Sequence, residues 1–321
     1  MSKKTAFITG ISGQDGAYLA ALLIENNYSV IGMVRSQGST ELRGLEYLGI
    51  RKAVIIEECD LLDISQIIKL LFQYKPTEIY NLAAQSSVSM SFKQPIGTFR
   101  FNTMSVYNLL EAIKLVDKEI KFYQASSSEM YGKVNSLPIT ENSVLHPVSP
   151  YAISKAAAHW SCIHYRESYN MFVCCGILFN HESHLRGNNF FMKKIIIDSI
   201  RISRGELQEL QVGNIDIARD FGFAPFYVEA MYLMMQAEKA DDYIICSGSS
   251  VQLRHIIEYV FTKLGIDKTR YTISQELYRP ADIEDIYGDP HKAHEELGWN
   301  YSLTYKNLVD KLLEEELNNS H

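Results

Sequence analysis

A glycine-rich turn follows the first apolar run of the chain and precedes a helical pattern. The run Thr5–Thr9 leads into Gly10, Gly13 and Gly16, and helical spacing begins at Ala17. Glycines at a strand-to-helix turn let the backbone approach a pyrophosphate closely, and the helix N-terminus stabilises that negative charge. A purely structural turn is the alternative, but the position in the first βα unit favours dinucleotide binding.

Short apolar runs then alternate with longer helical patterns through the first half of the chain. Such alternation is typical of βαβ units, so we predict an α/β fold with a Rossmann-type, doubly wound parallel sheet. The predicted strands are residues 5–9, 30–34, 54–57, 78–82, 121–125 and 172–178, and the predicted helices are residues 17–25, 64–73, 105–115 and 151–168.

The alternation stops after Phe179, where a polar, irregular stretch begins. We predict a helix that ends near Arg204 and a short strand over residues 207–213. Residues 227–237 and 243–246 are predicted to rejoin the domain that contains the sheet. We therefore expect two interleaved units. A cofactor-binding Rossmann domain comprises residues 1–178 and about 216–246, and a smaller α/β substrate-binding lobe comprises about 179–215 and 247–321.

Composition and charge argue against several classes of protein. The net charge of −7 disfavours a nucleic-acid surface, which needs clustered Lys and Arg. The N-terminus, Met-Ser-Lys-Lys, leads into the first strand without a signal-peptide pattern, and no run of about 18 apolar residues predicts a membrane span. From these two absent patterns we expect a cytoplasmic protein. The five cysteines lack metal-site spacing, so we expect reduced, mostly buried thiols and no metal.

Tyr151 and Lys155 are the strongest candidates for proton transfer. They stand four residues apart and share a helix face, where an ammonium can lower the pKa of a phenol from about 10. Ser127 could bind the same substrate oxygen, and Glu129 adds a carboxylate that simple alcohol oxidation does not need. Each residue alone has an ordinary structural explanation, but together behind a nucleotide fold they predict an active site.

The end of the second strand indicates which dinucleotide is bound. Arg35 and Ser36 occupy the place where NAD-selective proteins usually carry an acidic residue, so we expect NADP, with NAD as the alternative. An exposed surface arginine is the other explanation of Arg35. The complete predicted cofactor set is Gly10, Gly13, Gln14, Asp15, Gly16, Arg35, Ser36, Asp60, Leu61, Leu82, Ala83, Ala84, Gln85, Tyr151 and Lys155.

These motifs together resemble the extended short-chain dehydrogenase/reductase superfamily, and more closely its GDP-mannose 4,6-dehydratases. The similarity extends over nearly the whole chain, and residues 180–183, Asn-His-Glu-Ser, discriminate best against related sugar 4-reductases. The other matching segments are residues 8–16, 80–85, 122–126, 176–183, 279–280 and 288–289.

The resemblance implies a redox-neutral conversion of a GDP-linked sugar to its 4-keto-6-deoxy product. Tyr151 would take the C4 hydroxyl proton, Ser127 would orient that oxygen, Lys155 would tune Tyr151 and contact the cofactor ribose, and Glu129 would remove the C5 proton as water leaves C6. The implied substrate-binding residues are Ser86, Ser128, Asn180, Lys194, Arg219 and Arg279. The family also implies a homodimer or homotetramer, paired through helices such as residues 105–115 and 151–168.

Some positions depart from the family and leave different functions open. Ser127 replaces a threonine, residues 184–186 replace a proline and paired arginines, Pro225 and Phe226 replace a lysine–aspartate pair, and residues 37–51 form a shorter segment. The altered loop leaves GDP-manno-heptose open as the substrate. A GDP-4-keto-6-deoxymannose reductase would use the same Tyr151 and Lys155, and a non-catalytic NADP-binding module would keep the glycine-rich turn.

Overall fold

The computed structural model describes residues 3–319. Residues 1, 2, 320 and 321 lie outside this range. They include Met1, where the predicted cofactor domain begins, and His321, where the predicted lobe ends. The strands are β1 (Thr5–Thr9), β2 (Ser29–Val34), β3 (Val54–Glu58), β4 (Glu78–Asn81), β5 (Lys121–Ser127), β6 (Val173–Leu178), β7 (Asn180–Glu182), β8 (Leu210–Val212), β9 (Ala218–Phe223), β10 (Asp242–Ile245), β11 (Ser250–Gln252) and β12 (Tyr271–Ile273). The helices are α1 (Gln14–Glu25), α2 (Arg43–Tyr47), α3 (Ile64–Tyr74), α4 (Val88–Lys93), α5 (Pro95–Val116), α6 (Pro150–Tyr169), α7 (Phe191–Ser203), α8 (Ala224–Gln236), α9 (Leu253–Leu264), α10 (His291–Leu297) and α11 (Tyr305–Asn318).

A seven-stranded parallel sheet forms the centre of the molecule. Its strand order is β10-β6-β5-β4-β1-β2-β3, so the chain winds outward from β1 and then crosses to begin again at β4. This order confirms the predicted doubly wound α/β fold. Such a sheet leaves a crevice at the carboxyl ends of the two strands where the winding reverses, here β1 and β4.

Helices cover both faces of this sheet, and the strands are apolar because both of their faces are buried. Alternate residues of β1 show the arrangement: Ala6 and Ile8 pack in the core that contains α1 and α8, whereas Phe7 packs in the core that contains α3, α5 and α6. Because successive side chains of a strand point to opposite faces of the sheet, one short strand contributes to both hydrophobic cores. The predicted helix at residues 105–115 is the C-terminal half of the longer α5.

A separate core lies beyond β6. It is formed by α7, α9 and α11 with β8 and β9, and the small sheets there are β11-β9-β7 and β12-β8. The predicted boundary near residue 216 placed β9 with the cofactor domain, but β9 pairs with β7 and β11 instead of joining the central sheet. β10 does return to the central sheet beside β6. The two-unit division of the chain stays a prediction.

None of the helices described between residues 3 and 319 has both the length and the apolar character needed to cross a membrane. The five cysteines are free and buried.

Candidate active site

The crevice between β1 and β4 is fixed by one threonine and one glycine. Thr9 donates a hydrogen bond to Asn81 Oδ1 (2.6 Å) and accepts from the amides of Leu82 and Ala83 (both 3.1 Å), which holds the two strand ends together. Gly10 has a φ of +71°, and a Cβ atom there would lie 2.9 Å from the backbone of Ala83. Only glycine permits this conformation at so close an approach.

A cavity of about 500 Å³ lies beside this turn and the N-terminus of α1. Twelve of the predicted cofactor residues line it, namely Gly10, Gly13, Gln14, Asp15, Gly16, Arg35, Ser36, Asp60, Leu61, Leu82, Ala83 and Ala84. Gln85 does not line it, because its side-chain amide bonds Thr98 Oγ1 and the Ser87 carbonyl. The bare glycine turn and the unpaired amides of a helix N-terminus fit a dinucleotide diphosphate.

A second cavity, of about 220 Å³, adjoins the first and contains the predicted catalytic groups. Ser127, Glu129, Tyr151 and Lys155 line it together, so the structure brings together residues from the end of β5 and the start of α6. Five of the six predicted substrate residues also line it, namely Ser86, Ser128, Asn180, Arg219 and Arg279. Lys194 does not, because its ammonium bonds the Gln211 carbonyl and pairs with Asp198 at 3.6 Å.

The start of α6 positions Tyr151. Ser149 caps the helix by accepting a hydrogen bond from the Ala152 amide (3.1 Å), and Pro150 occupies the first helical position. Tyr151 and Lys155 are both buried one turn apart on this helix. Ser127 ends β5 and accepts a hydrogen bond from the Glu129 amide (3.3 Å), which starts the short 3₁₀ turn that carries Glu129.

A buried chain of hydrogen bonds connects the crevice to Lys155. Asn81 Nδ2 donates to Gln124 Oε1 (2.8 Å), and Gln124 Nε2 donates to the Ala125 carbonyl (3.0 Å). Lys155 Nζ donates to the same carbonyl at 2.8 Å. The ammonium is therefore anchored on β5, and it lies 5.9 Å from the centre of the Tyr151 ring.

In the ligand-free protein, burial rather than Lys155 sets the pKa of Tyr151, and the tuning of Tyr151 by Lys155 stays a prediction. Burial raises the pKa of Tyr151 to about 12, with a hydrogen bond from Ser127 opposing the rise and the charge of Glu129 adding to it. Burial also lowers the pKa of Lys155 from 10.5 to about 8. Desolvation is the largest effect on both pKa values in the ligand-free protein, because neither side chain contacts an opposite charge among residues 3–319.

Replacing Lys155 with methionine should therefore stabilise the ligand-free protein at pH 7. The pKa of Lys155 is about 8 in the folded state and 10.5 in the unfolded state, so below pH 8 the fold carries a buried ammonium. Between those values the unfolded state binds more protons, and wild-type stability rises with pH. We expect the Tm of Lys155→Met to exceed that of wild type by at least about 2 °C at pH 7, and the difference to shrink towards pH 10.5.

Differential scanning fluorimetry from pH 7 to 10.5 measures this effect. The Ala125 carbonyl keeps its hydrogen bond from Gln124, so the substitution leaves that acceptor satisfied. Lys118→Met, at an exposed position, is the matched control and should change Tm little at any pH. A lower Tm for Lys155→Met at pH 7 would contradict the assignment of a destabilising buried charge.

Three contacts that sequence reasoning missed join the glycine-rich turn to residues 181–183, which follow β6. Ser183 Oγ donates to Gln14 Oε1 (2.7 Å), and Gln14 Nε2 donates to the His181 carbonyl (3.1 Å). His181 Nε2 lies 2.9 Å from Asp15 Oδ2, and the imidazole stacks on Tyr227 with ring centres 4.5 Å apart. Burial favours the protonated acid, but His181 and Gln14 outweigh it and hold the pKa of Asp15 below its usual range.

The side chains of Gln14 and Asp15 therefore face the loop as well as the cofactor cavity. Both sides of the contact belong to motifs that stand out in the sequence, Gly-Gln-Asp-Gly and Asn-His-Glu-Ser, but their spacing along the chain does not reveal that they touch.

Arg219 and Arg279 form a cationic wall of the second cavity. Arg219 Nη1 donates to the carbonyls of Ala218 (2.7 Å) and Ile283 (2.6 Å), which fixes the guanidinium, while its Nη2 is buried without a hydrogen bond to any described residue. Asp282 lies 3.9 Å from Arg219 and 3.8 Å from Arg279. Burial lowers the pKa of Arg219, so an anionic ligand here would compensate a desolvated cation.

Comparison with known proteins shows which family this chain belongs to. The family profile described as GDP-mannose 4,6 dehydratase matches residues 7–312. GDP-mannose 4,6 dehydratase 1 of Arabidopsis thaliana is 40% identical over 98% of this chain and 90% of its own length. The chain belongs to the GDP-mannose 4,6-dehydratase family.

Solved structures place this family member within a wider fold group. The dTDP-glucose 4,6-dehydratase of Streptomyces venezuelae with NAD bound superposes with a TM-score of 0.88, at 19% identity and covering 98% of this chain and 97% of its own. RMD from Pseudomonas aeruginosa complexed with NADPH has a TM-score of 0.81, at 26% identity, and covers 98% of each chain. The match to the GDP-mannose 4,6-dehydratase family over nearly the whole chain does not favour a heptose dehydratase, a reductase or a non-catalytic module.

Proposed function

We propose that this chain is a GDP-mannose 4,6-dehydratase that forms GDP-4-keto-6-deoxymannose. One observation carries the proposal: Glu129 lines the same cavity as Ser127, Tyr151 and Lys155 in a chain of this family. A carboxylate beside the tyrosine and lysine supplies a second base, which dehydration requires and alcohol oxidation does not. We also keep the expectation that the enzyme is cytoplasmic.

We infer that the cofactor is NADP. Arg35 and Ser36 line the first cavity at the end of β2, where a cation suits a ribose 2′-phosphate. When bound, the nicotinamide would supply reversible hydride storage, so that a hydride removed from C4 could be returned to C6. The glycine turn and the N-terminus of α1 would hold the diphosphate.

The protein's own residues would handle the protons. Tyr151 would remove the C4 hydroxyl proton, with Ser127 holding the same oxygen. The resulting ketone acidifies the C5 hydrogen, and Glu129 would transfer that proton to the C6 hydroxyl, which leaves as water. A proton returned to C5 would then balance the hydride added at C6. Lys155, anchored on the Ala125 carbonyl, would lie beside the cofactor ribose and stabilise the phenolate of Tyr151 during the oxidation.

The sugar nucleotide would occupy the second cavity with its diphosphate on the cationic wall. Arg219 and Arg279 provide the charge, and Asn180, Ser86 and Ser128 provide neutral hydrogen-bonding groups. Because the protein carries a net negative charge, an anionic ligand must be bound by cations and hydrogen-bond donors placed at the site, and these residues supply them. Lys194, the remaining predicted contact, is bonded elsewhere in the ligand-free protein.

Mass spectrometry of the reaction products tests the proposal. The protein is incubated with GDP-mannose and either NADP or NAD, and GDP-manno-heptose is tested in parallel. We expect the loss of one water from GDP-mannose, faster with NADP than with NAD. Loss from the heptose alone would reject mannose as the substrate, and reduction of a 4-keto sugar without water loss would reject the dehydratase.

We propose that the enzyme assembles at least as a homodimer through the outer faces of α5 and α6. Large apolar side chains remain exposed there, including Phe99 at 44%, Ile153 at 47% and Trp160 at 59% of their surface. Apolar groups concentrated on two packed helices are typical of an interface. Sedimentation equilibrium at micromolar concentration measures the state, and a monomer would reject the proposal.

A further inference from the structure

A buried histidine lies on the helix that carries the predicted proton-transfer residues. His159 follows Tyr151 by eight residues and Lys155 by four along α6, and all three side chains are buried. Residues at this spacing lie along one side of a helix, here the side that faces the sheet. The imidazole is 6% exposed, and the mechanism proposed above gives it no part.

One ring nitrogen of His159 is bonded to the strand that carries Ser127. His159 Nδ1 and Ser126 Oγ form a buried hydrogen bond of 3.0 Å. Ser126 stands in β5 directly before Ser127, the hydroxyl predicted to hold the C4 oxygen. It directly follows Ala125, whose carbonyl anchors Lys155. The bond therefore connects α6 to β5 at the point where the two elements present their predicted catalytic groups.

The other side of the imidazole is anchored in the core. His159 Nε2 lies 3.7 Å from Asp242 Oδ2 of β10, and the Cys175 thiol of β6 completes a cluster whose three polar atoms lie within 4.8 Å of one another. Such a set could hold a metal ion, but Arg166 already forms a bidentate ion pair with Asp242, at 2.9 and 3.0 Å. The guanidinium would repel a second cation, so the cluster fixes the ring instead.

Two side-chain hydrogen bonds connect α6 to β5 within residues 3–319, and they come from Lys155 and His159. Lys155 lines the second cavity, where its ammonium is also proposed to contact the cofactor ribose and the phenolate of Tyr151. His159 lines neither of the two cavities formed by the described residues. Its bond to β5 can therefore persist unchanged when the ligands bind.

We propose that His159 is a positioning residue for the C4 oxidation. Its bond to Ser126 holds α6 in register with β5, and this register brings Tyr151 and Ser127 to the same substrate oxygen. The inference rests on the proposed function, because it requires that these two hydroxyls act on one oxygen. A displacement of about 1 Å between groups at a reacting atom can cost about 10²-fold in rate.

Single-turnover mixing with GDP-mannose and NADP tests the inference through the rate of cofactor reduction. His159→Gln should lower this rate by about 10- to 100-fold, because the longer amide reaches the place of Nε2 and loses the bond to Ser126. His159→Asn keeps an amide near the place of Nδ1, where it can donate or accept, so its rate should stay within about threefold of wild type. The Kd values for NADPH and GDP should change by less than about twofold in both variants.

A double-variant cycle separates this bond from general stability. Ser126→Ala removes the other partner with a smaller change, so it keeps the test decisive if His159→Gln fails to fold, and it should lower the rate similarly. The double variant Ser126→Ala/His159→Gln should be no slower than either single variant, because the two side chains act through one bond. His294→Gln makes the same change at an exposed position of α10 and should react as wild type does.

A wild-type oxidation rate in Ser126→Ala or in folded His159→Gln would overturn the inference and leave the proposed function standing. Equal losses in His159→Gln and His159→Asn would also overturn it, since they would indicate packing of the ring rather than a bond to Ser126. Losses that multiply in the double variant would contradict a shared bond. Wild-type protein that binds NADP and GDP-mannose without reducing the cofactor would reject the proposed function itself, together with this role of His159.

Discussion

Replacing Glu129 with glutamine should stop the loss of water from GDP-mannose while oxidation at C4 continues. An amide of the same shape cannot accept the C5 proton, and removing a general base costs about 10²- to 10⁴-fold in rate. Tyr151 and Lys155 are untouched, so substrate oxidation should still reduce the bound cofactor. We expect a reduced-nicotinamide absorbance on mixing and almost no dehydrated product by mass spectrometry.

The geometry supports this separation of the two steps. Glu129 lies on the 3₁₀ turn after β5, whereas Tyr151 begins α6, so the substitution leaves the cap and first turn of that helix intact. The charge of Glu129 contributes to the raised pKa of Tyr151, which places the two groups within electrostatic range. Removing that charge should ease the oxidation by favouring the phenolate.

Glu167→Gln is the matched control, since it makes the same change at an exposed position of α6. It should turn over as wild type does. Wild-type turnover by Glu129→Gln would remove Glu129 from the mechanism. Loss of NADPH binding in Glu129→Gln would instead show that the carboxylate supports the cofactor site.

The fold could be predicted from the sequence because its main signals are local. A parallel strand buried on both faces has an apolar run, and β1, β2 and β6 are such runs with boundaries within two residues of prediction. The three-stranded sheet was harder to predict from the sequence, because β7 and β11 have only three residues each. Their pairing with β9 depends on tertiary contact rather than on a repeating pattern.

The candidate site shows the same division between local and long-range signals. Four-residue spacing placed Tyr151 and Lys155 on one helix, but it did not indicate that the ammonium would bond the Ala125 carbonyl. The Asp15–His181 pair joins residues 166 positions apart, and no local pattern connects them.

Replacing Tyr151 with phenylalanine should abolish both cofactor reduction and water loss. The substitution removes one hydroxyl group from a buried ring, so the packing at the start of α6 is kept. Without the phenol the C4 hydroxyl loses its proposed base, and the loss of general base catalysis should reduce turnover by about 10²- to 10⁴-fold. Rapid mixing with GDP-mannose and NADP, followed by absorbance and mass spectrometry, measures both steps.

The pH dependence of the C4 oxidation rate tests the role of Tyr151 by a second, independent measurement. Its pKa is about 12 in the ligand-free protein, so the reactive phenolate is scarce near neutral pH and the C4 oxidation rate should rise with pH. Bound cofactor and substrate would change that burial, and a lower apparent pKa in the rate profile would measure their effect directly. Below about pH 8, where Lys155 is still an ammonium, Lys155→Met should move the profile to higher pH, because the phenolate loses that neighbouring charge. An unshifted profile in Lys155→Met would limit the role of Lys155 to binding the cofactor. Cofactor reduction at the wild-type rate in Tyr151→Phe would mean that another group takes the C4 proton.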